Sequence, residues 1–181
     1  FPYTTLFRSQ YNIAYKYFNV LNMVFVIVLT PFWSAFTDAY VKKDYNWMSG
    51  IVKKLDFLWL LCIPILILMV LCSNFFYQWW VGNSVSISFS LSICMAVFMF
   101  FYTSANLYMI LINGTSMVCL QLIINVCFAI ISLPCICLFC RLWGVQGALL
   151  IPTVTLAVLT LIGKIQIMKI VNNRATGIWQ R

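Results

Sequence analysis

The chain has 181 residues, 64% of them hydrophobic and only 8% charged, with a formal net charge of +8 and no histidine. So little polar surface cannot keep a globular domain of this size dispersed in water, which argues against a soluble fold. The positive balance does not signal nucleic acid either, because the lysines and arginines sit in short groups between long apolar stretches.

Residues 1–9, Phe-Pro-Tyr-Thr-Thr-Leu-Phe-Arg-Ser, match a forward translation of the tail of a common short-read sequencing adapter. They are expected to be an artefact, with native sequence starting near Gln10 and the upstream part of the gene lost. Without Arg8 the formal charge falls from +8 to +7. Five apolar stretches follow, at 13–36, 57–76, 87–112, 117–140 and 145–170. An α-helix rises about 1.5 Å per residue, so roughly 20 residues cross a hydrocarbon core about 30 Å thick. Backbone amides in lipid find partners only within a helix or a closed barrel, and runs this long are helices. The expected fold is all-α and polytopic: a transmembrane bundle over 10–171 with about five spans, then a tail at 172–181.

Charge between the spans sets an expected orientation. Lys42, Lys43, Lys53 and Lys54 lie between spans one and two, and Lys164, Lys169, Arg174 and Arg181 lie at the end. The segment between spans two and three has no charge, and that between four and five has only Arg141. Cationic segments stay on the cytoplasmic side, which places the connection 38–56 and the C-terminus inside. Tyr77, Trp79 and Trp80 are then expected in the outer headgroup layer. Within the connection, Val41, Tyr45, Met48, Val52 and Leu55 recur at helical spacing. That pattern suits a short amphipathic helix in the inner interface, drawn to anionic membrane lipids; an ordinary positively charged loop fits the same residues.

All eight cysteines fall within or at the ends of apolar spans, where a thiol acts as small apolar filling. On a helix Cys135 points away from Cys137 and Cys140, so no metal site is expected, nor any cofactor. Asn113-Gly114-Thr115 spells a glycosylation sequon but is expected to form a tight helix–helix turn.

Polar residues fall in stripes around four of the helices. At about 100° per residue, Asn12, Tyr15, Lys16, Asn19, Asn22, Thr30, Trp33, Ser34 and Thr37 share an arc of roughly 120° on span one. Span three aligns Ser88, Ser92, Tyr102, Asn106 and Asn113; span four aligns Gln121, Asn125 and Ser132; span five aligns Gln146, Thr153, Thr160 and Lys164. Span two has none. Polar groups avoid lipid, so the stripes are expected to line a shared polar cavity with span two packed outside; hydrogen-bonded gluing between helices is the competing account. The substrate-cavity candidates are Asn12, Tyr15, Lys16, Asn19, Asn22, Trp33, Tyr102, Asn106, Gln121, Asn125, Gln146, Thr153 and Lys164. Pro31, Pro64, Pro134 and Pro152, with Gly144 and Gly147, interrupt the spans and allow bending.

Tyr11-Asn12-Ile13-Ala14 opens span one, and Pro31, Phe32, Trp33, Ser34, Ala35, Phe36, Thr37, Asp38, Ala39 and Tyr40 close it. With Asp44, Trp47, the Lys-rich connection and Gly177-Ile178-Trp179, this pattern resembles the C-terminal half of bacterial O-antigen and capsular polysaccharide flippases. Those belong to the multidrug/oligosaccharidyl-lipid/polysaccharide exporter superfamily and are related to the MATE exporters. The resemblance implies two six-helix bundles around a central cavity, with this chain supplying most of the second. It implies alternating access for an undecaprenyl-pyrophosphate-linked oligosaccharide in the bacterial inner membrane, coupled to an ion such as H+ or Na+. No coupling carboxylate carries over, since the acids Asp38, Asp44 and Asp56 lie in or beside the inner connection. In such a cavity Asn, Gln, Ser and Thr would bond hydroxyls, Trp33 and Tyr15 would stack on sugars, and Lys16 or Lys164 would meet pyrophosphate.

Three rivals remain. A multidrug or metabolite exporter of the same fold should have a more apolar cavity and an acid for cation binding. A membrane polysaccharide polymerase or acyl transferase usually needs a base or an Arg cluster near the interface, and the chain has no His or Glu. A membrane scaffold without transport activity is the third. The expected class is a transporter, not an enzyme.

Overall fold

A computed structural model describes residues 2–82 and 87–180. Five α-helices account for most of them: α1 Pro2–Val41, α2 Tyr45–Leu60, α3 Cys62–Val81, α4 Phe89–Thr115 and α5 Cys119–Val171, followed by a short 3-10 turn at Gly177–Gln180. No strand occurs among the described residues. Four continuous helical stretches, Arg8–Val41, Tyr45–Val81, Phe89–Thr115 and Cys119–Val171, are long and apolar enough to cross a membrane. The chain is an all-α polytopic membrane protein.

The element boundaries depart from the apolar runs in ways the backbone explains. Helix α1 runs on to Val41, so the polar connection shrinks to the turn at 42–44, where Lys43 takes a positive φ of 58°. Asp44 then caps α2 by accepting from the Trp47 N–H at 3.1 Å, satisfying one of the donors a helix start leaves unpaired. Leu61, between α2 and α3, keeps right-handed helical angles, so the two form one long rod interrupted only where Pro64 removes a donor. Helix α4 runs three residues past the expected span, so Asn113, Gly114 and Thr115 form its last turn rather than a helix–helix turn, and it is capped by Ser116 in a left-handed conformation.

Helix α5 merges the fourth and fifth expected spans. A straight helix would separate Met117 from Gln166 by about 70 Å, yet Gln166 Nε2 donates to the Met117 carbonyl at 2.8 Å. The chain reverses at Trp143 (φ −128°, ψ 16°) and Gly144 (φ 62°, ψ −142°), angles that glycine tolerates and other residues do not. Two antiparallel arms result, at 119–142 and 145–171.

Helix α4 is the central partner. It meets α5 and α1 most extensively and α3 less, and it has the largest buried share of any span. On α1, Ala14, Phe18, Phe25, Leu29 and Phe36 form the buried seam. Val20, Met23, Val24 and Ile27 are exposed on the other side, as lipid contact requires. The core divides into two clusters. One, at the Lys-rich end, gathers Phe25, Leu29, Phe36, Met48, Val52, Leu107, Leu111 and Ile167. The other, at the far end, gathers Ala14, Phe18, Leu66, Tyr77, Leu91, Met95, Met99 and Leu149. Tyr77 packs there and shares a 3.2 Å hydrogen bond with Ser92, while Trp79 and Trp80 stay exposed. Cys62 is buried, but Cys72, Cys127, Cys137 and Cys140 are exposed, so filling the core describes few of the thiols.

Candidate functional site

Between the two apolar clusters lies a polar belt. On α1 the gap from Phe18 to Phe25 holds Asn19 and Asn22; on α4 the gap from Met99 to Leu107 holds Tyr102, Thr103, Ser104 and Asn106. Asn22 is 8% exposed, and Thr103 and Ser104 are fully buried. Helical periodicity puts Asn19 and Asn22 one turn apart on one flank, so the side-chain amides chain together. Asn106 Nδ2 donates to Asn22 Oδ1 at 3.0 Å, and Asn22 Nδ2 donates to Asn19 Oδ1 at 3.3 Å.

Tyr102 joins this belt to the rest of the molecule. Its side chain meets Tyr15 on α1. It also lines an open cleft of about 370 Å³ with Asn125 and Ser132 of the first α5 arm and Thr155 of the second. Phe98, Phe128 and Leu156 supply apolar walls. Polar groups of three helices thus converge beside α4, near the middle of its length. Such a trough is mainly apolar and aromatic, with Tyr102 and Asn125 as its polar side chains, because the Ser132 and Thr155 hydroxyls donate back to the Ala129 and Ile151 carbonyls at 3.2 and 3.0 Å. It carries no fixed charge.

Of the expected cavity residues, the structure groups Tyr15, Asn19, Asn22, Tyr102, Asn106 and Asn125. Asn12 and Lys16 are exposed at the edge of the same α1 flank. Trp33 is 50% exposed and lines a separate groove with Thr30, Ser34, Thr37 and Asp38 toward the Lys-rich end. Gln121 is buried at the foot of the first α5 arm. Gln146 lies at the opposite end, with Gln10, Ser88 and Trp143. The Thr153 hydroxyl donates back to the Leu149 carbonyl at 2.6 Å, which satisfies it within its own helix.

Lys164 has a partner that periodicity did not assign. Its Nζ lies 2.9 Å from Asp56 Oδ2, and Tyr108 donates to Asp56 Oδ1 at 2.7 Å. The node ties α2, α4 and α5 together; the Lys164 and Asp56 side chains are 38% and 19% exposed. A signal for it existed. On the α2 wheel Asp56 falls about 40° from buried Val52 and about 160° from Lys54, on the packed side. Gly163, next to Lys164, lets α5 approach α4 so closely that a Cβ there would stand 2.8 Å from the Tyr108 Cβ. Ser104 Oγ and Thr160 Oγ1, each one turn before a member of this node, are buried without a hydrogen-bond partner.

Among the described residues no group of three or more His, Cys, Asp or Glu could hold a metal ion. Compared with protein-family models, curated proteins and solved structures, the chain matches none.

Proposed function

We propose that this chain is part of a membrane transporter that flips an undecaprenyl-pyrophosphate-linked oligosaccharide across the bacterial inner membrane by alternating access. The polar belt carries the reading. A bundle built only for stability gains little by splitting its apolar core with buried asparagines, because interhelical hydrogen bonds in membranes contribute about 0.6 kcal/mol each. A translocated sugar needs such groups: amides and hydroxyls for its own hydroxyls, and aromatic rings such as Tyr15 and Tyr102 for its apolar faces. The cleft beside Tyr102 is open and lined by α4 and both α5 arms, and a second bundle set against it would complete the passage. The resemblance of the Pro31–Tyr40 run to polysaccharide flippases points to the same substrate class.

The test replaces Asn22 and Asn106 by leucine, singly and together, in the gene that encodes this chain. Surface polysaccharide is then measured in a host that depends on that gene. Polysaccharide should fall by about ten-fold or more in the double variant while membrane abundance holds. Undiminished polysaccharide at equal abundance overturns the proposal, and dye efflux that depends on the same asparagines redirects it to drug export on the same fold.

A further inference from the structure

The Lys-rich end of the molecule carries unopposed positive charge on a rigid support. Lys42, Lys43, Lys53 and Lys54 are all exposed, and none forms a salt bridge among the described residues. The acids nearby are otherwise placed. Asp56, the only acid within α2, is turned inward and held by Lys164 and Tyr108. Asp44 caps the helix start, and Asp38 lies in the groove beside Trp33. An exposed carboxylate at position 56 would cancel part of the field of Lys53 and Lys54; the ion pair with α5 removes it from that face.

Helix α2 is amphipathic in three dimensions. Met48, Val52 and Leu55 are buried against the ends of α1, α4 and α5, so the helix does not float. Its opposite face presents Asn46, Trp47, Gly50, Lys53, Lys54 and Phe57, all exposed. Trp47 is 38% and Phe57 65% exposed, one on each side of the lysine pair along the helix. Trp suits the headgroup layer and Phe the acyl chains beside it.

The depth fits. Tyr108, which binds Asp56, precedes the end of α4 at Thr115 by seven residues, about 10 Å of rise. Lys53 and Lys54 lie roughly 3–5 Å along α2 from Asp56, on the side away from the membrane centre. Helix α4 has 27 residues, about 40 Å, so its ends reach past a hydrocarbon core of about 30 Å. The lysine pair therefore stands about 13–15 Å from the membrane centre, at the edge of the hydrocarbon core, from which long lysine side chains snorkel to the headgroups. At the neighbouring chain end, Lys169 lies 3.8 Å over the Trp179 ring and Arg174 is exposed, extending the cationic collar.

We propose that the exposed face of α2 is a docking surface for the anionic phospholipid headgroups of the adjoining leaflet. Lys53 and Lys54 meet the phosphates while Trp47 and Phe57 anchor the helix on either side. This rests on the membrane fold alone, so it stands or falls independently of transport.

The experiment uses the purified chain in neutral detergent, titrated with phosphatidylglycerol or phosphatidylcholine, with bound lipid read by native mass spectrometry. Phosphatidylglycerol should be retained and phosphatidylcholine not. The Lys53→Gln/Lys54→Gln variant should weaken phosphatidylglycerol binding by roughly five-fold per lysine removed. Lys53→Arg/Lys54→Arg keeps the charge and should keep the preference, and far-UV circular dichroism confirms that each variant is folded. Equal retention of the two lipids by the parent overturns the proposal, as does an unchanged preference in the Gln variant. Replacing phosphatidylglycerol with a polyprenyl phosphate distinguishes the phosphate source. Retention that excess phosphatidylglycerol cannot compete away also overturns it, assigning the lysines to a carrier lipid instead.

Discussion

Gly163→Ala tests how tightly α5 is seated on α4. The added Cβ would stand 2.8 Å from the Tyr108 Cβ, 3.4 Å from its Cγ and 3.8 Å from Ile112 Cδ1. Neither Cβ can rotate away, since each is fixed to its own backbone. The helices must therefore part by roughly 0.6 Å to restore ordinary contact, a strain that typically costs about 1–3 kcal/mol. Alanine returns about 0.5–1 kcal/mol of helix propensity, leaving a net loss of about 0–2.5 kcal/mol, centred slightly above about 1 kcal/mol. The same displacement pulls on the 2.7 Å bond from Tyr108 to Asp56. Gly50→Ala is the control: nothing lies within 4 Å of its Cβ position, so only the propensity gain remains. Reversible unfolding in mixed micelles of increasing dodecyl sulfate, followed by circular dichroism, should separate the two variants in opposite directions. If both stabilise equally, the close approach of α4 and α5 at Tyr108 is wrong.

Gly144→Ala should destabilise by about 1–3 kcal/mol in the same assay, because a side chain there must adopt φ 62° and ψ −142°. Lys164→Met leaves the Asp56 carboxylate with Tyr108 alone. Because Lys164 is 38% exposed, the loss should be about 1–2 kcal/mol, below the 3–5 kcal/mol of a fully buried broken pair. Adding Asp56→Asn should recover part of that loss, giving a coupling energy of about 0.5–2 kcal/mol in a double-mutant cycle; strict additivity would contradict the pair. Trp59→Phe deletes a 3.0 Å bond to the Phe100 carbonyl but preserves a stacked ring pair 4.4 Å apart. It should cost about 0.6 kcal/mol, and a loss above about 2 kcal/mol would show that the stack depends on the bond.

Hydropathy alone makes the helical, membrane-spanning character of the chain legible, because length and apolarity are properties of single segments. The polar flank of α1 is legible too, since periodicity assigns an angle to every residue. What periodicity cannot assign is the neighbour at that angle. Asn22 meets Asn106 and holds Asn19 beside it, whereas Asn12 and Lys16, on the same arc, are exposed. Lys164 lies on a stripe with Gln146 and Thr153, yet it turns to Asp56, 108 positions earlier in the chain. The junction at Leu61 was hidden for another reason. Polar residues around Lys53 and Lys54 break the apolar run without breaking the helix, because lysine is a good helix former.

The central place of α4 has a consequence for how the molecule is made. Chains emerge from the ribosome N-terminus first, so α1 and α3 leave the insertion machinery before the partner they both lean on has been synthesised. The Tyr17 hydroxyl donates to the Met69 carbonyl at 3.0 Å, a contact that can close this early hairpin while it waits. Asn22, by contrast, gains its Asn106 partner only once α4 has been made. The interval before that contact closes is set by translation speed, and an insertase or chaperone acting within it would change the yield of folded protein.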